Sequence, residues 1–205
     1  AAIVGACFRT SSTNAARSGV ALEVARVAVR NASAHKSSPV ADLLTTDADF
    51  VVNDPTIDLI VEVMGGVDDA RRLVLQALAN GKPVVTANKA LLATHGLELF
   101  SAADASGIDL LFEAAVCGGI PLIRPLRESL RGEPITRVLG IVNGTTNYIL
   151  TKMTEESMTY GDALAGAQKL GYAEADPTAD VEGYDAAAKL SIIASIAFGQ
   201  NVVAS

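Results

Sequence analysis

The sequence predicts an α/β fold: a Rossmann-like domain built on a parallel sheet, followed by a smaller second domain. Three observations carry this. Through the first half, short apolar runs rich in β-branched residues alternate with longer helical patterns, the rhythm of βαβ units. Runs such as LIVEV and PVVTA have little or no polar face, so they need helices on both sides of their sheet. Beyond Gly118-Gly119-Ile120-Pro121 the rhythm changes, which sets a domain boundary near residue 118 and divides the chain into 1–118 and 119–205.

Taken in order, the candidate strands of the first part are residues 2–6, 24–29, 59–63, 83–86 and 110–113, with helices at 39–44, 68–80, 90–94 and 96–106. The 68–80 segment places Leu73, Ala77 and Leu78 at helical spacing and stops before Gly81, a C-cap signal. In the second part a helix at 121–131 leads through Gly132-Glu133-Pro134 into a strand at 135–142. The polar turn Asn143-Gly144-Thr145-Thr146-Asn147 precedes a helix around 148–154. Another helix, 160–170, ends at Gly171; an acidic loop, 172–182, follows; a last helix runs from 183 to 198. No repeat or low-complexity tract interrupts this order.

Composition narrows the function classes. Half of the 205 residues are hydrophobic and 19% are charged, which excludes a disordered chain. With 16 Lys plus Arg against 23 Asp plus Glu, the net charge is −7 and there is no basic face for nucleic acid. No apolar run reaches the length of a membrane span, and the first residues lack the charged start of a signal peptide. Two cysteines, Cys7 and Cys117, make no disulfide framework, so a cytoplasmic protein is expected.

The chemistry concentrates in residues 171–199, where Glu174, Asp176, Asp180, Glu182 and Asp185 precede a lone Lys189. Asp185 and Lys189 fall one helical turn apart on one face. On a surface they would be an ordinary ion pair of about 0.3 to 0.5 kcal/mol. No face of this helix is charged as a solvent-facing helix would be, so it is expected to be buried. A dehydrated pair costs several kcal/mol per ion and persists where it has a function. Several carboxylates near one lysine can hold a substrate ammonium while the lysine moves a proton on or off an oxygen. That combination suits a small amino acid carrying a hydroxyl or a carbonyl.

Two strand ends add to this. Thr86-Ala87-Asn88-Lys89 and Met64-Gly65-Gly66 stand where open α/β sheets bind ligands, outside the carboxyl ends of the strands. Lys89 is either a solvated loop lysine or a cation that touches cofactor or substrate. The glycines either make a turn or admit a ligand to the backbone. In Phe112-Glu113-Ala114-Ala115-Val116-Cys117-Gly118-Gly119-Ile120-Pro121, a carboxylate stands beside a tight backbone that offers carbonyl oxygens, ligands suited to Na⁺ or K⁺. His35 and His95 have no ligand spacing, so no transition-metal site is expected.

The runs VEVMGG, VVTANKALLA, FEAAVCGGIP, GIVNGTTNYILTKM and GYAEADPTADVEGYDAAAKL, in this order, closely resemble the homoserine dehydrogenase family over roughly residues 24–199. The resemblance implies an NAD(P)-binding Rossmann-like domain joined to an α+β substrate/catalytic domain, usually in a homodimer. It implies the reversible NAD(P)H-dependent reduction of L-aspartate 4-semialdehyde to L-homoserine, on the route to threonine, methionine and isoleucine. Lys189 would then be the proton donor, with Asp185 beside it. Glu174, Asp180 and Asp185 would bind the amino-acid substrate, with Thr145 in the pocket wall. Gly5, Gly65, Lys89 and Gly171 would contact the cofactor. Glu113, Val116, Gly118 and Ile120 match the family's sodium site.

One departure stands at the start. Ile3-Val4-Gly5-Ala6-Cys7 reads as the family's first strand, but Phe8, Arg9 and Thr10 follow where a G-x-G-x-x-G phosphate loop belongs. Residues 11–17 are polar, with no apolar helix face. Arg30, followed by Asn31, ends the second strand where an acid would read the NAD ribose, which tilts the expectation towards NADP. The chain also stops short of the sheet and dimer segments that the resemblance implies. The resemblance therefore leads to the expectation of an NAD(P)-dependent homoserine dehydrogenase, against a truncated, non-catalytic chain that binds substrate or self-associates without cofactor.

Overall fold

The computed structural model describes residues 2–8, 19–118 and 120–204. The chain divides into two compact units, Ala1–Gly119 and Ile120–Ser205.

In the first unit six strands form one sheet in the order β3-β2-β1-β4-β5-β6, the order of a doubly wound dinucleotide-binding sheet. The strands are β1 (Ala2–Phe8), β2 (Leu22–Val29), β3 (Leu44–Thr45), β4 (Leu59–Glu62), β5 (Val84–Thr86) and β6 (Leu110–Leu111). β2 pairs parallel with β3, β4 with β5, and β5 with β6. At the centre the pairing departs from parallel: β1 is antiparallel to β2 and to β4. Phe8 stands opposite Leu22 and Ala6 opposite Leu59, while Ala2 stands opposite Val29. A parallel pairing needs a crossover that packs a helix on the sheet, whereas an antiparallel return does not. The polar sequence between β1 and β2 offers a crossover helix no apolar face to bury.

Helices cover the sheet as its apolar strands require. α1 (Ala48–Asn53), α2 (Asp68–Ala79) and α3 (Lys89–Ser106) bury Val51, Val52, Leu73, Val74, Leu78, Leu91 and Leu99. Full burial of each large apolar side chain is worth about 1.5 to 3 kcal/mol. α2 carries Asp68 and Asp69 in its first turn, where acids favour the helix dipole, and it ends at Asn80, just before Gly81. α3 runs through the break expected between residues 94 and 96 as one helix, kinked where His95 leaves helical geometry. The helix expected at 39–44 is instead a short 3-10 turn, Ala41–Leu43, followed by β3. α1 was not foreseen.

The regular elements among the described residues of the second unit are helices, chiefly α4 (Gly144–Glu155), α5 (Tyr160–Lys169), α6 (Thr178–Val181) and α7 (Tyr184–Phe198). Ile149 of α4, Ala163 and Ala167 of α5, and Ala173 form a small core, with Tyr148, Met158, Leu164 and Val181 packed around it. The helix expected at 121–131 shrinks to a π-turn, Pro125–Ser129, closed by Leu130 N donating to Pro125 O (2.9 Å). Pro125 has no N–H to continue an ordinary helix. The strand expected at 135–142 does not form, so the α+β character of this part is not seen among the described residues. A strand needs a partner ladder, and the described residues of this unit supply none. Leu139 and Ile141 are accordingly 83% and 74% exposed.

Candidate functional site

In the second unit a hydrogen-bonded cluster forms around the start of α7. Asp185 lies in the first turn of that helix, where the backbone N–H groups favour an anion, and is only 7% exposed. Lys189, one turn on, donates from Nζ to Asp185 Oδ2 (2.6 Å) and to the backbone oxygen of Val142 (2.7 Å). Its side chain is 17% exposed. Asn143 Nδ2 donates to Asp185 Oδ2 (2.9 Å) and to Asp180 Oδ1 (2.7 Å). The Asp185–Lys189 pair is thus a shielded pair with a proton-bearing end. α7 itself is buried on one side only: Ser191, Ile192 and Ile193 are buried, while Tyr184 and Leu190 are exposed.

The neighbouring loop is fixed from below. Thr145 Oγ1, buried at the start of α4, donates to the backbone oxygen of Tyr172 (2.7 Å), and the rings of Tyr148 and Tyr172 lie 5.2 Å apart. Gly171 ends α5 with φ +77°, which turns the chain into that loop. Gln168 Nε2 holds the backbone oxygen of Glu174 (3.2 Å). The Glu174 side chain stands outside the cluster and is exposed. Asp176 acts locally. Its Oδ1 accepts from Thr178 Oγ1 (2.6 Å) and Thr178 N (3.1 Å), opening α6, and these bonds hold its carboxyl below the usual range.

In the first unit the carboxyl ends of β4 and β5 are tied together by a residue that sequence reasoning missed. Glu62, the last residue of β4, is fully buried. It accepts from Met64 N (2.8 Å), Gly65 N (3.3 Å) and Thr86 Oγ1 (2.6 Å), with a longer approach from Asn88 Nδ2 (3.5 Å). Asn88 Nδ2 also donates to Gly66 O (2.7 Å), and Asn88 Oδ1 caps α3 through Leu91 N (3.1 Å). Gly65 and Gly66 both have positive φ, +68° and +74°, so this loop needs residues without a Cβ. Lys89 is the first residue of α3, beside the same network. An acid inside the otherwise apolar run LIVEV was the available signal for Glu62.

A cavity of about 390 Å³ opens at the carboxyl ends of β2, β3 and β4, lined by Arg30, Thr46, Asp47, Met64 and Asp69 among others. Arg72, at the same cavity, pairs with Asp49 (2.5 Å), which holds that carboxyl below its usual range. Because β1 is reversed, its first residue Ala2 lines this cavity, while Gly5 lies inside the strand, opposite Arg26 and Ile60. Glu113 opens a 3-10 turn, Glu113–Ala115, and Val116 after it is buried. Cys117 takes φ +52°, Gly118 is exposed, and Ile120 falls in the second unit. Among the described residues no group of three or more His, Cys, Asp or Glu side chains comes together to hold a metal ion.

Comparison with known proteins bears on both units. The family model described as homoserine dehydrogenase, NAD binding domain, matches residues 5–113, and the homoserine dehydrogenase model matches residues 121–205. The homoserine dehydrogenase of Mycobacterium leprae is 55% identical over 190 residues, covering 93% of this chain and 43% of the relative. That of Corynebacterium glutamicum is 54% identical over 188 residues, covering 92% and 42%. The crystal structure of a homoserine dehydrogenase from Thiobacillus denitrificans superposes with a TM-score of 0.80 at 53% identity, over 85% of this chain and 41% of that one. A hyperthermophilic archaeal homoserine dehydrogenase in complex with NADPH gives 0.73 at 32% identity, over 82% and 54%. The chain therefore spans less than half the length of the curated relatives it matches. With a dinucleotide-type strand order in one unit, a lysine–carboxylate cluster in the other and both family models matched in sequence, the chain belongs to the homoserine dehydrogenase family.

Proposed function

We propose that this protein catalyses the reversible NAD(P)H-dependent reduction of L-aspartate 4-semialdehyde to L-homoserine, a step in threonine, methionine and isoleucine synthesis. The observation that carries the reading is the shielded Lys189 ammonium, held by Asp185 and the Val142 carbonyl. A nicotinamide cofactor, when bound, supplies the hydride. This chain's residues do the rest. Lys189 Nζ delivers a proton to the aldehyde oxygen as negative charge develops there, and takes it back in the reverse direction. Asp185 keeps that ammonium oriented. Asp180, Asp185 and Glu174 bind the amino-acid substrate by its ammonium and hydroxyl, and Thr145 fixes the adjacent loop.

The cavity beside Arg30 and the glycine-bearing loop at Gly65 suit the adenosine half of a dinucleotide, and the family likeness supports Lys89 and Gly171 at its nicotinamide end. A guanidinium at the end of β2 favours the extra phosphate of NADP over NAD. Glu113 with the main-chain oxygens of Val116, Gly118 and Ile120 offers a carboxylate-plus-carbonyl set for Na⁺ or K⁺. Family likeness supports a homodimer, and two cysteines without a disulfide framework support a cytoplasmic setting. No helix among the described residues is long and apolar enough to cross a membrane.

One observation favours a second reading, a chain that holds substrate without cofactor. The reversed β1 sends its carboxyl end, where a phosphate loop would follow, to the edge of the sheet opposite the cavity. Titration with NADPH, followed by nicotinamide fluorescence, separates the two: saturable binding supports the enzyme and its absence the alternative. In the enzyme, Lys189→Ala is expected to lower turnover by about 10²- to 10⁴-fold, the usual worth of a general acid–base, with an unchanged circular dichroism spectrum. Turnover like that of the wild type would remove Lys189 from the chemistry.

A further inference from the structure

The geometry points to Asn143 as the positioning residue of the lysine–carboxylate cluster, a role that rests on the function proposed above. Its amide is bonded to both aspartates. Each carboxylate takes a bond from the same nitrogen, at 2.7 Å for Asp180 Oδ1 and 2.9 Å for Asp185 Oδ2. The two oxygens are therefore held within two hydrogen-bond lengths of one another. Like charges that close repel, and a nitrogen with two N–H groups is what neutral chemistry offers to hold them together.

The orientation of that amide is fixed from its other end. Asn143 Oδ1 accepts from Thr146 N (2.8 Å) and Thr146 Oγ1 (2.9 Å), the cap of α4. A flipped amide would face donors with donors and carboxylates with an oxygen, so the network leaves one arrangement. Asn143 is itself buried, and the residue before it supplies the carbonyl that Lys189 Nζ bonds. One residue thus joins the N-terminus of α4, both carboxylates and, through its neighbour, the lysine. Without the bridge, Asp180 and Asp185 separate, Asp185 Oδ2 loses a bonded donor, and Lys189 Nζ is no longer aimed at one point.

The test uses two substitutions in the intact protein that keep the helix cap, since Ser and Asp cap about as well as Asn. Asn143→Ser can donate at most one hydrogen bond, and Asn143→Asp donates none and adds a third carboxylate. Both are expected to melt within a few degrees of the wild type. Both are expected to lower kcat for the semialdehyde by about 10- to 100-fold, in line with the cost of a small misplacement of a reacting group, with KM for NADPH unchanged. A second readout needs no turnover: acylation of Lys189 by a lysine-directed reagent, read by peptide mass against exposed Lys169 as the internal standard. Relative labelling of Lys189 should rise about fivefold or more in Asn143→Ser, as a bonded ammonium is released. If kcat stays within twofold and labelling is unchanged, Asn143 is a helix cap and nothing else. If the wild type itself has no turnover, the proposed reaction fails, and the labelling ratio still decides whether Asn143 positions Lys189.

Discussion

Two buried carboxylates, one in each unit, are held in opposite ways. Glu62 is surrounded by uncharged donors: two backbone N–H groups, a threonine hydroxyl and, at longer range, an asparagine amide. Asp185 takes an amide too, but also a lysine ammonium, and sits at the positive end of a helix. The first arrangement is built from neutral donors, backbone and side-chain amides and a hydroxyl, with no amine among them. It serves to clamp two strand ends against each other. The second places an ammonium within reach of solvent, since Lys189 retains 17% side-chain exposure. Burial of an acid does not by itself announce chemistry; the identity of its donors does.

That contrast can be broken by substitution. Glu62→Ala has the largest expected effect on stability, about 3 kcal/mol or more, because several buried donors lose their acceptor at once and each costs about 1 to 3 kcal/mol. Urea unfolding of the variant against the wild type measures it, and a loss below about 0.5 kcal/mol would show that water replaces the carboxylate and that the clamp is dispensable. Glu62→Gln keeps an acceptor towards Met64 and Gly65 and is expected to lose less, about 1 to 2 kcal/mol. Asp185→Asn should behave in the reverse manner. It keeps an acceptor for Lys189 and Asn143, so stability changes little, whereas turnover falls about 100-fold as the lysine loses its charged partner. If Glu62→Gln cost turnover as much as Asp185→Asn, the division between clamp and proton site would be wrong.

The strands and helices of the first unit were legible because burial on both faces leaves a strong pattern: residues 59–63 and 68–80 correspond closely to β4 and α2. α1 was not legible. Its sequence ADFVVN is rich in residues that favour strands, and what makes it helical is the cap from Asp47 Oδ1 to Phe50 N (2.9 Å) together with the burial of Val51 and Val52. Residues 135–142 failed for the opposite reason. Ile135, Val138, Ile141 and Val142 have strand propensity, but propensity for a sheet is largely propensity to pack on neighbours. In the site, the spacing of Asp185 and Lys189 was readable as an i,i+4 pair. The bridge from Asn143 spans some forty residues of sequence, and no periodicity reports it. Glu62 was hidden because a single acid at a strand end reads as the point where the strand meets solvent.

A weaker test compares the units through acid. In the first unit Asp49, Asp54 and Glu98 are held below their ordinary values by hydrogen bonds from Arg72, Thr56 and Arg71 respectively. In the second unit Asp176 has such a shift, through Thr178. A carboxyl with a lowered folded pKa contributes stability that is complete above its unfolded value, 4.5 for Glu98 and 3.8 for the aspartates. That contribution disappears as pH falls through the lowered folded value, because only the unfolded chain has by then taken up the proton. All four groups lie at the surface, so each effect is small and screened by salt. Asp49, Asp54 and Glu98 set the direction to test: on acidification below pH 4.5 the first unit is expected to weaken ahead of the second. Hydrogen exchange read by peptide should show protection falling first across residues 48–106 and later across 144–198. Tyrosine emission reports the second unit alone, since all four tyrosines of the chain, Tyr148, Tyr160, Tyr172 and Tyr184, lie in it. Simultaneous loss in both units, or earlier loss in the second, would mean that the acid response is set by the buried carboxylates, and the surface pairs would drop out of the comparison.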